Sequence, residues 1–195
     1  MAAPELRSQR LVLRHWRPED KKIFAAMSAD PQVMQYERPT LSSEQSDLLV
    51  EAIQLGLETR DFGFWAVQIF DDAGLDENSL VGFVGLSVLK WEASFTPCVQ
   101  IGWRLSRQHW GFGYATEAAA KVLEYGLKDM GLNEIVSTTS LLNMRSIAVM
   151  ERLGMVRDQN FDHPNIRIND PLRRHALFRM SQQRWTHQGT SYLVR

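Results

Sequence analysis

Ile101 to Lys121, IGWRLSRQHWGFGYATEAAAK, joins two hydrophobic periods across a pair of glycines. Val99 to Leu105 mixes β-branched and aromatic residues over a strand-length run, and Gln108-His109-Trp110-Gly111-Phe112-Gly113 breaks it. From Tyr114 onward Ala115, Ala118, Ala119, Val122, Leu123, Leu127 and Met130 recur at spacings of three and four, one face of an amphipathic helix. The stretch therefore predicts strand, turn and helix. Glycine tolerates positive φ, so the N–H groups of Gly111, Gly113, Tyr114 and Ala115 can converge on one point at the helix start. The helix dipole adds about half a positive charge there, enough to hold a pyrophosphate without a lysine.

Two familiar phosphate motifs fit this join poorly. A P-loop requires a Lys-Ser/Thr pair after its second glycine, and none is present. A dinucleotide fingerprint is closer, because Gly111-x-Gly113-x-x-Thr116 follows a strand and Glu134 lies downstream. Against it, Thr116 stands where the third glycine permits close helix packing, and Glu134 opens the next strand, whereas the ribose-binding acid should close it.

Outward from the join, 195 residues suffice for one domain with a sizeable core. Composition is that of an ordinary globule, with 44% hydrophobic and 23% charged residues. No apolar run approaches the roughly 20 residues needed to span a bilayer, and MAAPELRSQR lacks the apolar stretch of a signal peptide, so a cytoplasmic protein with no membrane partner is expected. The lone cysteine, Cys98, excludes an intramolecular disulfide and any multi-cysteine metal site, and with no H-E-x-x-H either, no metal is expected. Net charge is −1, which argues against a direct nucleic-acid partner, although Arg167, Arg173, Arg174, Arg179, Arg184 and Arg195 make the C-terminal segment basic. The six tryptophans follow no regular interval and read as core, with Trp110 excepted by its place in the glycine loop.

Strands are expected at Arg10–Trp16, Gly63–Phe70, Leu80–Leu89, Val99–Leu105, Glu134–Thr139, Met155–Gln159 and His175–Met180. A polar connector at 71–79 should turn the second into the third as an antiparallel hairpin. Helices are expected after Pro18, from the capping box Ser42-x-x-Gln45 to about Glu58, at Tyr114 and at Met144–Leu153. The second of these should bury Leu48, Leu49, Ala52, Ile53 and Leu55. The fold class is α+β in three layers: a mixed sheet of about seven strands, antiparallel at first, with helices on both faces.

Gln108-x-x-Gly111-x-Gly113 followed by Ala115-Thr116-Glu117-Ala118 resembles the pyrophosphate loop of the GCN5-related N-acetyltransferases, in particular the branch of the ribosomal-protein N-terminal acetyltransferases. Asn143-Met144-Arg145-Ser146, leading to Ala148-Val149-Met150-Glu151-Arg152-Leu153-Gly154-Met155, is similar to that branch's second cofactor segment. Together the two segments carry the resemblance over roughly residues 8 to 185. It implies one acyl-CoA N-acyltransferase domain over 1–195, acting as monomer or homodimer, with acetyl-CoA as co-substrate. It implies Gln108, Trp110, Gly111, Phe112, Gly113, Tyr114, Ala115 and Thr116 around the pyrophosphate. A slot between the strands at Val99 and Glu134 would hold pantetheine on main chain at Trp103 and Leu105. Asn143 would hold the pantetheine or position the helix entrance. Tyr36, Glu37 and Arg38 fall in the acceptor wall.

The implied reaction is direct acetyl transfer to a primary amine: a peptide or protein N-terminal α-amine of the ribosomal type, or a small-molecule amine. It needs a proton removed from the ammonium, an oxyanion stabilised and a proton for the thiolate. The tyrosine acid of many relatives corresponds to Met150 here. Ser146 occupies the place of a serine that stands near the sulfur in the ribosomal-protein branch, and it could equally cap the helix. The strand glutamate that some relatives use as base corresponds to Thr138, which leaves Glu92, in the connector after the Leu80 strand, as the best remaining carboxylate. Asp162-His163 could also touch the acceptor. Absence of both familiar groups keeps open a non-catalytic acyl-CoA-binding module.

Overall fold

The computed structural model describes residues 2–37, 39–71 and 74–188, with the side chains of 71–79 and 188 outside the description. Arg38 therefore lies outside the described residues, as does part of the connector expected at 71–79. The chain runs β1 (Leu6–Arg7), β2 (Leu11–Arg14), α1 (Asp20–Ala29), α2 (Ser43–Thr59), β3 (Phe64–Asp71), β4 (Gly74–Val88), β5 (Val99–Leu105), α3 (Tyr114–Glu124), β6 (Glu134–Ser140), α4 (Met144–Arg152), β7 (Val156–Asp162), β8 (Arg174–Ser181) and α5 (Gln182–Gln188). The strands form one eight-stranded sheet in the order β1-β2-β3-β4-β5-β6-β8-β7. Every neighbouring pair is antiparallel except β5 and β6.

The sheet is α+β and mixed as expected, with β1 and the short α5 added. β4 also begins earlier than the apolar run suggests, since Asp71 already pairs with Gly74. A ladder of main-chain bonds needs no apolar side chains to continue, so hydrophobicity alone placed that boundary too late. The capping box is present in full, with Gln45 N–H donating to Ser42 Oγ at 3.2 Å and Ser42 N–H to Gln45 Oε1 at 2.9 Å. The buried side of α2 meets expectation in part: Leu49 and Ile53 pack half-buried against the core, but Ser46, Val50 and Leu57 are the fully buried residues, Ala52 is exposed, and Leu48 and Leu55 are 66% and 59% exposed. The inward row is i, i+4, i+11, rotated from the leucine-rich row because α2 meets the sheet beside Trp16, whose N–H donates to Gln54 Oε1 at 2.9 Å.

One ionic knot ties β2 to α1. Arg14 and Asp20 are each 2% exposed and bridge at 2.7 Å, and Arg14 also donates to Gln68 Oε1 and the His15 carbonyl. On the opposite face of the sheet α3 packs three consecutive buried alanines, Ala118 to Ala120, so its axis can approach β4 and β5 closely. A π-helical turn, Tyr125–Asp129, follows it.

Candidate active site

β5 carries the site because its two edges are treated differently. Along β4 it is fully paired, from Gly82 with Leu105 to Val88 with Val99. Along β6 one parallel pair is formed, Gln100 with Val136, and the strands then part. Ser137 Oγ donates to the Ile101 carbonyl at 3.1 Å, which shows that the main-chain groups of Ile101 point toward β6. By alternation those of Trp103 and Leu105 do too, beyond the last pair. The Leu105 carbonyl accepts from the Trp110 indole at 2.9 Å. Trp103 thus presents its main chain to an open slot, as an added extended chain would require.

Past the slot, a 3₁₀ turn, Arg107–His109, leads to the glycines. Gly111 and Gly113 have φ of +85° and +83°, the left-handed region, and Gly113 is the N-cap of α3. A cleft of about 1530 Å³ is lined by this turn, by β5 and by the start of α4. Trp103, Leu105, Trp110, Gly111, Phe112, Gly113, Tyr114, Ala115, Thr116, Asn143 and Ser146 all reach it. Gln108 does not: it is exposed, because the turn brings Ser106 Oγ within 2.7 Å of His109 Nδ1 and swings Arg107 and Gln108 between them outward. Burial holds the His109 imidazole below its ordinary pKa.

Arginines that the sequence does not mark also reach this cleft, Arg10 and Arg145 among them. Arg10 donates through its N–H and Nε to Glu117, at 2.7 and 2.8 Å, and through Nη2 to the Phe112 carbonyl at 3.1 Å. Its guanidinium lies 4.8 Å from the Tyr114 ring centre. Glu117 is therefore a tie between β2's approach and α3 as well as a charge in the first helical turn. Arg145 covers the face of Trp110 at 4.1 Å. No local pattern could have paired residues 107 apart, as Arg10 and Glu117 are.

A second cleft, of about 580 Å³, opens on the α1 and α2 side. Six residues line both clefts: Tyr36, Glu37, Trp103, Arg104, Asn143 and Ser146. At this junction Asn143 caps α4, its Oδ1 accepting the Ser146 N–H at 3.2 Å while its Nδ2 donates to Thr139 Oγ1 at 3.0 Å. The capping role open to Ser146 thus falls to Asn143, and the Ser146 hydroxyl is left for the clefts. Arg104 donates to Glu37 across the junction and lies 5.2 Å from the Phe83 ring. Among the described residues its Nε and Nη1, both buried, have no partner.

Glu92 lines neither cleft and is exposed. Its connector instead turns aromatic rings inward: Trp91 stacks on Phe161 at 5.7 Å and meets Phe95 at 5.6 Å, which leaves the intervening glutamate outside. Trp91, Trp103 and Trp110 all reach clefts, so half of the six tryptophans are not simply core. His163 and His175 also line the second cleft, with ring centres 4.9 Å apart. Arg167, Arg173, Arg174, Arg179 and Arg184 line neither cleft, Arg174 pairing with Asp162 and Arg179 with Asp158 and Glu134, while Arg195 lies outside the described residues. Among the described residues no helix is long and apolar enough to cross a membrane, and no group of three acidic, histidine or cysteine side chains is placed to hold a metal.

This geometry has relatives. Residues 10–156 match the family described as "Acetyltransferase (GNAT) domain". The chain is 27% identical, over its full length and 88% of the other protein, to the FsC-acetyl coenzyme A-N(2)-transacetylase of Aspergillus fumigatus. The structure superposes on a GNAT-family acetyltransferase from Bacillus anthracis with a TM-score of 0.75 at 24% identity, covering 92% of this chain and 99% of that one. With the spermidine N-acetyltransferase of Vibrio cholerae, solved with CoA and spermine, the TM-score is 0.69 at 17% identity, covering 90% and 98%. These likenesses establish the acyl-CoA N-acyltransferase fold, with eight strands here in place of the seven expected. The chain belongs to the GNAT acetyltransferase family and is an acetyl-CoA-dependent N-acetyltransferase.

Proposed function

We propose that the chain, acting as one domain, transfers the acetyl group of acetyl-CoA to the α-amine of a small molecule or of the first residue of a peptide. The observation that carries this reading is the junction, where six residues line two clefts that meet between β5 and α4. The larger cleft suits the nucleotide and pantetheine: glycine N–H groups at a helix start for the phosphates, and a strand edge at Trp103 for the amides. The smaller is too confined for a folded partner, which favours a small acceptor or a chain terminus. An α-amine sits two bonds from a carbonyl or carboxylate, and Arg104 at the junction has donors without partners among the described residues. The relative named an N(2)-transacetylase agrees with transfer to such a nitrogen.

Acetyl-CoA supplies the activated acyl group; the chain's part is placement and proton movement. Thr139 and Asn143 fix the entrance of α4, so the Ser146 hydroxyl stands on its first turn facing the junction. There it delivers the proton that the departing thiolate requires. Ser146→Ala should lower kcat by about 100-fold, at the low end for a lost general acid, while acetyl-CoA affinity stays unchanged. Calorimetry for binding and thiol release for turnover check this together. Run against α-amino acids, short peptides and polyamines, the same assay tests the acceptor: binding without release from any α-amine overturns the reading.

A further inference from the structure

Amine acetylation at neutral pH needs a base, and neither Thr138 nor the outward-facing Glu92 provides one. Cross-strand partners share a face of a sheet. The pairs Phe83–Arg104, Gln100–Val136 and Ser140–His175, read with alternation along β5 and β6, put Arg104, Ser140 and His175 on one face, that of the second cleft. Ser140 lies three residues before the Asn143 cap, so His175 stands one strand from the junction.

We infer that His175 is the general base that removes the proton from the acceptor ammonium. This rests on the acceptor reading above. The assignment follows from hydrogen bonding. His175 Nδ1 lies 3.1 Å from the Arg173 carbonyl, and a carbonyl only accepts, so Nδ1 carries the ring proton and Nε2 keeps a lone pair. His163 is fixed in the other tautomer: its Nδ1 accepts the Asn165 N–H at 3.3 Å, which puts the proton of the neutral ring on Nε2. His163 packs between His175 and Trp91, both at 4.9 Å between ring centres, and Phe161 backs His175 at 5.7 Å. His175 is 8% exposed.

The charged groups around the pair are few and mostly engaged. Arg173 and Arg174 both bridge to Asp162, at 3.5 and 3.0 Å. Asp170, from the preceding loop, accepts the Leu172 N–H at 2.8 Å and lines the same cleft. Glu37 lies across the junction on Arg104. Burial lowers the His175 pKa from its ordinary value, outweighing the opposing hydrogen bond to the Arg173 carbonyl and aided by the neighbouring His163, and burial with Arg173 nearby lowers that of His163. Both rings are therefore neutral at pH 7, the state a base requires.

The proton balance closes. The ammonium has three protons. One passes to His175 Nε2 and then to solvent; the freed nitrogen lone pair forms the C–N bond as the C–S bond breaks. A second proton leaves that nitrogen and reaches the thiolate through Ser146. The third stays in the amide product.

His175→Asn keeps an N–H near the Nδ1 position for the Arg173 carbonyl and removes the base. With an acceptor found by thiol release, the variant should lose about 10²-fold in kcat/KM at pH 7, the low end for a lost general base, with acetyl-CoA affinity unchanged. The shape of the pH profile is the decisive reading. Wild-type kcat/KM should rise through a pKa below the ordinary histidine value near 6.5 and then lie flat to pH 9. The variant should climb with unit slope across that range, toward the pKa of the amine itself, and approach wild type at its top. A variant whose profile and rate match wild type overturns the inference. So does a wild-type profile without an acid limb in the histidine range, a measurement that needs no variant. Wild-type turnover tests the acceptor reading separately.

Discussion

Arg14 and Arg104 are both guanidiniums almost withdrawn from water, 2% and 10% exposed, in strands of the same sheet. Arg14 is closed upon itself: Gln68, the His15 carbonyl and both oxygens of Asp20 accept from it. Arg104 has one partner, Glu37, which is itself 50% exposed, and its Nε and Nη1 have none among the described residues. A buried cation is tolerated when its donors are satisfied, and leaving donors unmatched costs stability. The first arrangement therefore belongs to the fold. The second is incomplete as it stands, and it sits where two clefts meet.

The largest expected effect separates these roles. Asp20→Ala leaves the Arg14 charge buried without its bidentate partner, which should cost about 3–5 kcal/mol, read as a lower midpoint in urea unfolding. Glu37→Ala removes a half-exposed partner and should cost no more than about 1 kcal/mol, while raising KM for the amine acceptor. Equal losses of stability in the two variants would break the comparison, because Arg104 would then be a second structural knot.

The same contrast explains what could be read from the chain in advance. The proposed cofactor side is local in sequence: Ile101 to Lys121 encodes strand, turn and helix consecutively, and the groups it would offer are mostly main chain, so a change of hydrophobic period reveals them. Asn143 and Ser146 lie on one short segment for the same reason. The proposed acceptor side, the second cleft, is assembled from Tyr36 and Glu37, Trp91, Arg104, His163 and His175, each on a different stretch of the chain. No spacing rule links them. Glu92 was the plausible base in a linear reading because a connector glutamate can face either way, and the stacking of Trp91, Phe95 and Phe161 decided which. α2 differs in part for a similar reason: Leu49 and Ile53 pack on the core as the spacing indicates, but Leu48 and Leu55 do not, because contact with Trp16 through Gln54 rotates the helix.

A mid-sized effect sharpens the open half. Gly113 has φ +83°, and a Cβ there would meet nothing nearer than Arg10 Nη2 at 3.5 Å. Space is therefore available and the penalty of Gly113→Ala is conformational, about 1–2 kcal/mol. In the free protein the turn can relax toward negative φ, whereas a bound pyrophosphate requires the N–H groups to converge again. The penalty should thus appear in binding, as acetyl-CoA affinity about tenfold weaker by calorimetry, with little change in melting temperature. An unchanged affinity would mean that the turn does not hold the phosphates.

The smallest effect concerns Arg145. It is exposed, lies on the first turn of α4 and rests 4.1 Å above Trp110, whose indole in turn donates to the Leu105 carbonyl. A guanidinium stacked at an exposed site contributes about 0.5–1 kcal/mol. Arg145→Ala should therefore release Trp110 only slightly and weaken acetyl-CoA binding about two- to fivefold. Arg145→Lys keeps the charge but loses the planar stack, so the two variants divide the effect. If lysine restores the affinity at low salt and the restoration fades as salt rises, Arg145 acts as a charge near the phosphates. If lysine behaves as alanine does at every salt concentration, its role is to hold Trp110 flat against the edge of β5. In that case Arg145 resembles Arg14 more than Arg104: a cation whose task is completed inside the protein, although it lies at the rim of the cleft.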